Sequence, residues 1–370
     1  MLKPVHEQLL ELVKAGLWNI PVNNRLFDGV VDWNELLALS DQQTVTGIIT
    51  DAIATLPEDK RPPKSIYFLF LKRTEGIEKE NKEMYQTIPS MVKYFSDKDI
   101  QVLLLKGQGV GLCYRNPYRR TTGDVDFYAG LKEGDYGQAK GAFEELGIRL
   151  IEEVPQKKHA EYSVDGIKVE LHGNIRFSIS KQFDGRFEGW MDECLKQESF
   201  VVKKAGEDNK IFLPPYRFDA VFIFAHALNH YMTSGLGLRQ LCDWMCYLKK
   251  NHDKINKEEL VKDLEYLGLT KFWKHFAAIA VEKLGMEKGM MPLYEEKYNV
   301  YQDKILSHIF STGNFGYLQR KKQNNKDFKL WKKLKTFYGQ LFLYWDNFWM
   351  FPKETWYCFK YFVVKNIANY

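Results

Sequence analysis

Apolar positions near the start of the chain recur at helical spacing. Leu9, Leu10, Leu12, Val13 and Leu17 share one face. Asp32-Trp33-Asn34-Glu35 reads as a helix start, with Asp32 as N-cap and Glu35 reaching back. Helical spacing continues through 41–56, Pro62-Pro63 breaks it, and a long amphipathic helix is predicted over 65–95. The pattern then changes. Ile100 to Leu105 is a short, nearly all-apolar run that fits a buried strand. Val125 and Phe127 alternate with Asp124, Asp126 and Tyr128, as a two-faced strand would. Residues 134–147 return to helical spacing, with Gly147 suited to a C-cap. Asp165-Gly166, between the β-prone runs 161–164 and 167–171, predicts a tight hairpin. Beyond Pro214-Pro215 the runs 221–228, 238–248, 257–267 and 272–284 are helix-like.

These patterns predict an α+β chain. A mixed-sheet core at 99–214 is flanked by helical regions at 1–98 and 215–326, with an aromatic, basic helical tail at 327–370. The composition, 45% hydrophobic and 27% charged, is that of a globular protein and excludes disordered, collagen-like and disulfide-scaffold classes. A net charge of +5 is too small to argue for nucleic acid, which is not expected as a partner. That charge is uneven, because residues 320–370 carry 11 Lys and Arg against 3 Asp and Glu. About 16 aromatics lie between Asp327 and Tyr370, interleaved with lysines in segments such as Leu330-Trp331-Lys332-Lys333-Leu334-Lys335. The tail reads as a Trp-cored helical unit or as a peripheral contact with an anionic membrane.

The N-terminus lacks the continuous apolar core of a signal peptide, and no stretch reaches the ~18 apolar residues of a membrane-spanning helix. Five scattered cysteines without a CxxC pair read as reduced thiols, and a cytoplasmic location is expected.

The sharpest chemical pattern is Gly123-Asp124-Val125-Asp126-Phe127. On a strand the two aspartates share a face ~7 Å apart. Like charges so placed repel, and a divalent cation relieves them; oxygen donors favour Mg²⁺ or Mn²⁺. Glu170, between Val169 and Leu171, is a third carboxylate on a later strand. Three converging carboxylates suit in-line phosphoryl or nucleotidyl transfer. Lys106-Gly107-Gln108-Gly109 follows the buried strand, and Arg115, Arg119, Arg120, Thr121 and Thr122 precede the aspartates, offering anion-binding groups for a triphosphate.

The runs Leu104-Leu105-Lys106-Gly107, Tyr114-Arg115-Asn116-Pro117, Arg120 to Asp126 and Val169-Glu170-Leu171-His172 resemble the uncharacterised nucleotidyltransferase family of bacteria, within the polymerase-β-like superfamily. The resemblance implies that Asp124, Asp126 and Glu170 are catalytic metal ligands and that Gly107 is the phosphate-loop glycine. Gln108 stands where the superfamily has Ser or Gly. Lys106, Gly107, Gln108, Arg120 and Thr122 are then the expected nucleotide-binding residues, with an NTP as donor and an acceptor that the sequence does not identify. The resemblance also turns Arg239 and Asp243 toward the cleft. His172 shares the strand face of Glu170 and could orient a phosphate or act as a base. His226 and His230 have HxxxH spacing, which suits zinc or a substrate-facing pair. Two other readings use the same residues: a degenerate nucleotide-binding module without turnover, and a glycosyltransferase with an acid–x–acid motif.

Overall fold

The computed structural model describes residues 2–177, 179–205, 209–314, 344–345 and 347–367. Helices α1 (Pro4–Trp18), α2 (Trp33–Gln42) and α3 (Thr46–Ala54) open the chain. Asp32 caps α2 as expected, its Oδ1 accepting the Glu35 N–H at 2.9 Å. Helix α4 (Lys64–Asp97) starts directly after Pro63, slightly longer at both ends than the periodicity predicts.

A mixed five-stranded sheet follows, ordered β1-β2-β5-β4-β3. Its strands are β1 (Leu103–Leu105), β2 (Val125–Tyr128), β3 (Arg149–Val154), β4 (His159–Val164) and β5 (Ile167–His172). The expected strand at 100–105 narrows to β1, and α5 (Lys106–Gly111) joins it to the loop before β2. Strand β2 runs antiparallel to β1 and parallel to β5, with Asp126 opposite Glu170. The Asp165-Gly166 turn has φ of 51° and 82°, the two positive values of a type I′ hairpin. It sets Glu161 opposite Glu170 and His159 opposite His172.

Both sides of the sheet's centre are buried, and alternation decides which core each residue faces. Val125, Phe127, Ala160, Tyr162, Val169 and Leu171 pack with Met84, Ile88 and Phe95 of α4 and with Phe143 of α6 (Asp135–Glu145). The acidic and histidine positions between them fall on the other face. Helix α7 (Lys181–Gln197) leads from the sheet to a small hairpin, β6 (Val201–Ala205) with β7 (Asn209–Leu213). This hairpin is not among the expected elements, because Lys203-Lys204 interrupts its apolar alternation.

Helices α8 (Tyr216–Thr233), α9 (Leu238–Asn251), α10 (Lys257–Leu267), α11 (Thr270–Glu282) and α12 (Gln302–Thr312) complete the main body. They share one apolar core with α1 to α3. Polar ties join the two ends. Gln42 and Gln43 donate to the carbonyls of Phe310 and Ile309 at 3.0 and 3.1 Å, and the Trp18 indole donates to the Leu284 carbonyl at 2.6 Å. A last helix spans Pro352–Ile367, with Cys358 buried and Trp356 exposed, and Phe351 just before it is buried. The tail segment Leu330 to Lys335 lies outside the described residues. Among the described residues no helix is long and apolar enough to cross a membrane.

Candidate functional site

The polar face of β2 and β5 gathers Lys106, Asp124, Asp126, Glu170 and His172. Parallel pairing of β2 with β5 makes this possible, because it sets Asp126 beside Glu170 and Tyr128 beside His172. Asp126 is 1% exposed. Its Oδ1 receives the Lys106 ammonium at 2.8 Å and lies 2.9 Å from His172 Nε2. Burial alone would raise its pKa, but Lys106 and His172 outweigh burial and hold the carboxyl below the ordinary range. Glu170 is likewise held low: burial opposes ionisation, but His159, Lys106, Lys168 and His172 overcome it. Asp124 goes the other way, pushed up to about 7 by burial and by the charges of Asp126 and Glu170.

The backbone closes over the aspartates at Gly107, where φ is +38° and ψ is −114°. A Cβ there would lie 3.4 Å from the Asp124 carbonyl oxygen and 3.9 Å from Asp126 Oδ2. Alanine can occupy the space only with a strained backbone. Gly107→Ala is therefore expected to destabilise the fold by about 1–3 kcal/mol, read as a lower denaturation midpoint.

Asp126 Oδ2 is buried without a hydrogen-bond partner. A buried orphan carboxylate oxygen is a donor that a divalent cation could take up, and Asp124 and Glu170 carry the neighbouring carboxylates. Among the described residues, the group of three whose donor atoms lie within 4.8 Å of one another and could hold a metal is His159, Glu170 and His172, not the three carboxylates.

The remaining expected residues are placed as follows. Gln108 is buried, its Nε2 on Thr122 Oγ1 and 2.9 Å from Met84 Sδ, so Gln108 and Thr122 hold each other under the loop. Arg120 is engaged with Asp243: its Nε and Nη2 donate at 2.7 and 2.8 Å, and Tyr114 Oη donates to the same carboxylate at 2.6 Å. Arg239 lies 3.7 Å from Asp243 and donates to Thr44 Oγ1 at 3.3 Å. These groups knit α9 to the N-terminal helices and the loop before β2. His226 and His230 lie with Nε2 atoms 3.3 Å apart. They line a cavity of about 210 Å³ together with Lys106, His159, Glu170 and His172. Burial lowers both histidines, His230 to about 3.

Two site residues escape the sequence reading. His159 Nε2 lies 3.2 Å from Glu170 Oε2, and Lys168 Nζ lies 2.7 Å from Glu170 Oε1. The signal for them is the Asp165-Gly166 turn, since a two-residue turn fixes every cross-strand pair. Counting outward from it reaches His159 opposite His172.

The model of a family described as uncharacterised nucleotidyltransferases matches residues 29–285. No curated protein matches the chain. Among solved structures, an antigenic nucleotidyltransferase-like protein from Paracoccidioides brasiliensis is similar at 13% identity, over 56% of this chain and 94% of that one, with a TM-score of 0.35.

Proposed function

This chain belongs to the uncharacterised nucleotidyltransferase family of the polymerase-β-like superfamily, and from that premise we propose that it moves a nucleoside monophosphate from an NTP to an acceptor in a reaction dependent on Mg²⁺ or Mn²⁺. The observation that carries this reading is the buried, unpartnered Asp126 Oδ2 beside Asp124 and Glu170, beneath a glycine at positive φ. Asp124, Asp126 and Glu170 would hold the cation, whose charge would offset that developing on the transferred phosphoryl group.

The chain's own groups do the rest. Lys106 rests its ammonium on Asp126 Oδ1, from where it would meet phosphate oxygens. Gly107 lets the backbone approach without a side chain. Gln108 and Thr122 brace the loop from beneath, and Arg120 fixes its far end through Asp243. The acceptor would enter the cavity between the sheet and α8, where His226 and His230 are held neutral by burial.

Calorimetry with ATP, GTP, CTP and UTP tests the reading. Binding of at least one nucleotide is expected with Mg²⁺ or Mn²⁺ and not with chelator. Equal binding in both conditions, or none for any nucleotide, overturns it. Metal-dependent binding without label transfer to any fraction of cell extract would instead identify a binding module without turnover.

A further inference from the structure

We infer that His159, Glu170 and His172 form a second cation site, suited to a transition metal of the zinc or cobalt class rather than to magnesium. Ligands at zinc bond lengths of ~2.0–2.1 Å stand ~3.3 Å apart in a tetrahedron. His159 Nε2 lies 3.2 Å from Glu170 Oε2, and His172 Nε2 lies 3.6 Å from that same oxygen. Two of the donor set's three edges are thus close to tetrahedral before any ion binds, and one donor atom from each residue lies within 4.8 Å of the others.

The spacing is set by the backbone. The β4–β5 register places His159 opposite His172, and their rings lie 4.8 Å apart at 34°. Glu170 precedes His172 by one alternation on the same face. Lys168 engages Glu170 Oε1 at 2.7 Å, so Oε2 is the oxygen left toward the imidazoles. The three side chains keep 21%, 12% and 18% exposure and open on the 210 Å³ cavity, which gives an ion a route in.

Two imidazoles and one carboxylate leave a fourth position open, as in catalytic zinc sites. Magnesium prefers oxygen donors, so the two nitrogens discriminate against it. Binding replaces any proton on each Nε2 by the ion and releases that proton to solvent; at His172 the ion also displaces the 2.9 Å contact of Nε2 with Asp126 Oδ1. Glu170 is shared with the aspartate pair, so the two cation sites adjoin.

The test uses the untagged full chain, titrated with Co²⁺ in excess Mg²⁺ and without nucleotide. An intense visible band from low-coordinate cobalt is expected at one equivalent. His159→Gln and, separately, His172→Gln should weaken that binding by at least ~10–100-fold, the loss that even an outer partner of a ligand causes. Unchanged affinity in both variants overturns the assignment, as does loss in His226→Gln alone, which would place the ion on the α8 histidines. Absence of stoichiometric binding overturns it too. No nucleotide enters the readout, so it fails or succeeds independently of the transfer reaction.

Discussion

Nucleotidyl transfer is expected to fall by at least ~100-fold in both Asp124→Asn and Asp126→Asn, while metal-free stability moves in opposite directions. Both substitutions remove a carboxylate charge from the proposed metal set. Their surroundings differ. Asp126 is compensated by Lys106 at 2.8 Å and His172 at 2.9 Å, so its loss leaves a half-satisfied ammonium and should cost about 1–3 kcal/mol. Asp124 is raised first by burial and then by the charges of Asp126 and Glu170, so its neutralisation relieves both desolvation and repulsion. Its side chain keeps 31% exposure, so solvent screens part of that repulsion and the gain is about 1 kcal/mol.

The pH dependence has the matching sign. Asp124 is raised on folding to about 7, so its ionisation opposes folding. The penalty is absent below the unfolded value of ~4 and complete above about 7. Asp124→Asn should flatten that decline in chelator. Denaturation with chelator, run beside turnover with metal, checks both parts. Retained turnover in either variant would remove these aspartates from the chemistry.

The second large effect is structural. Asp243→Ala should destabilise the fold by about 3–5 kcal/mol, because it strands the buried Arg120 guanidinium. Asp243 is held below the ordinary range despite burial, chiefly by Arg120, whose two donors reach it at 2.7 and 2.8 Å. Arg239, 3.7 Å away, loses the same counter-charge. Replacing both partners, as Arg120→Met with Asp243→Leu, should recover much of the loss, since that pair then leaves no stranded charge of its own. Urea denaturation of the native chain and both variants checks this. A loss below about 1 kcal/mol for Asp243→Ala would show that the pair behaves as an exposed one.

What is legible in the sequence follows from how local each signal is. The Asp-Gly turn, the alternation around Asp126, the Asp32 cap and the proline breaks all act within a few residues, and each maps onto its element, although β2 begins at Val125 and Asp124 stands one residue before it. Strand β3 is illegible because Arg149 to Glu152 are exposed and carry no apolar alternation; it is a strand because β4 pairs with it. The partner of Arg120 stands 123 residues away, so its spacing beside the aspartates resembles a phosphate contact although the fold directs it to Asp243. Gln108 likewise reads as a loop residue facing a ligand, whereas its partners, Thr122 and Met84, come from the loop before β2 and from α4.

Helix α4 carries a consequence for cooperativity. Its 34 residues place Phe70 in the core shared by the terminal helices and Met84, Ile88 and Phe95 in the core beneath the sheet. One rod of ~50 Å is thus a structural member of both. Opening the sheet core strips the second half of the helix of its packing. Fraying there starts from a ladder already missing one donor at Pro89 and passes toward the first half. Amide protons in the two halves should therefore exchange through a common opening, which ties the order of the carboxylate face to that of helices far from it.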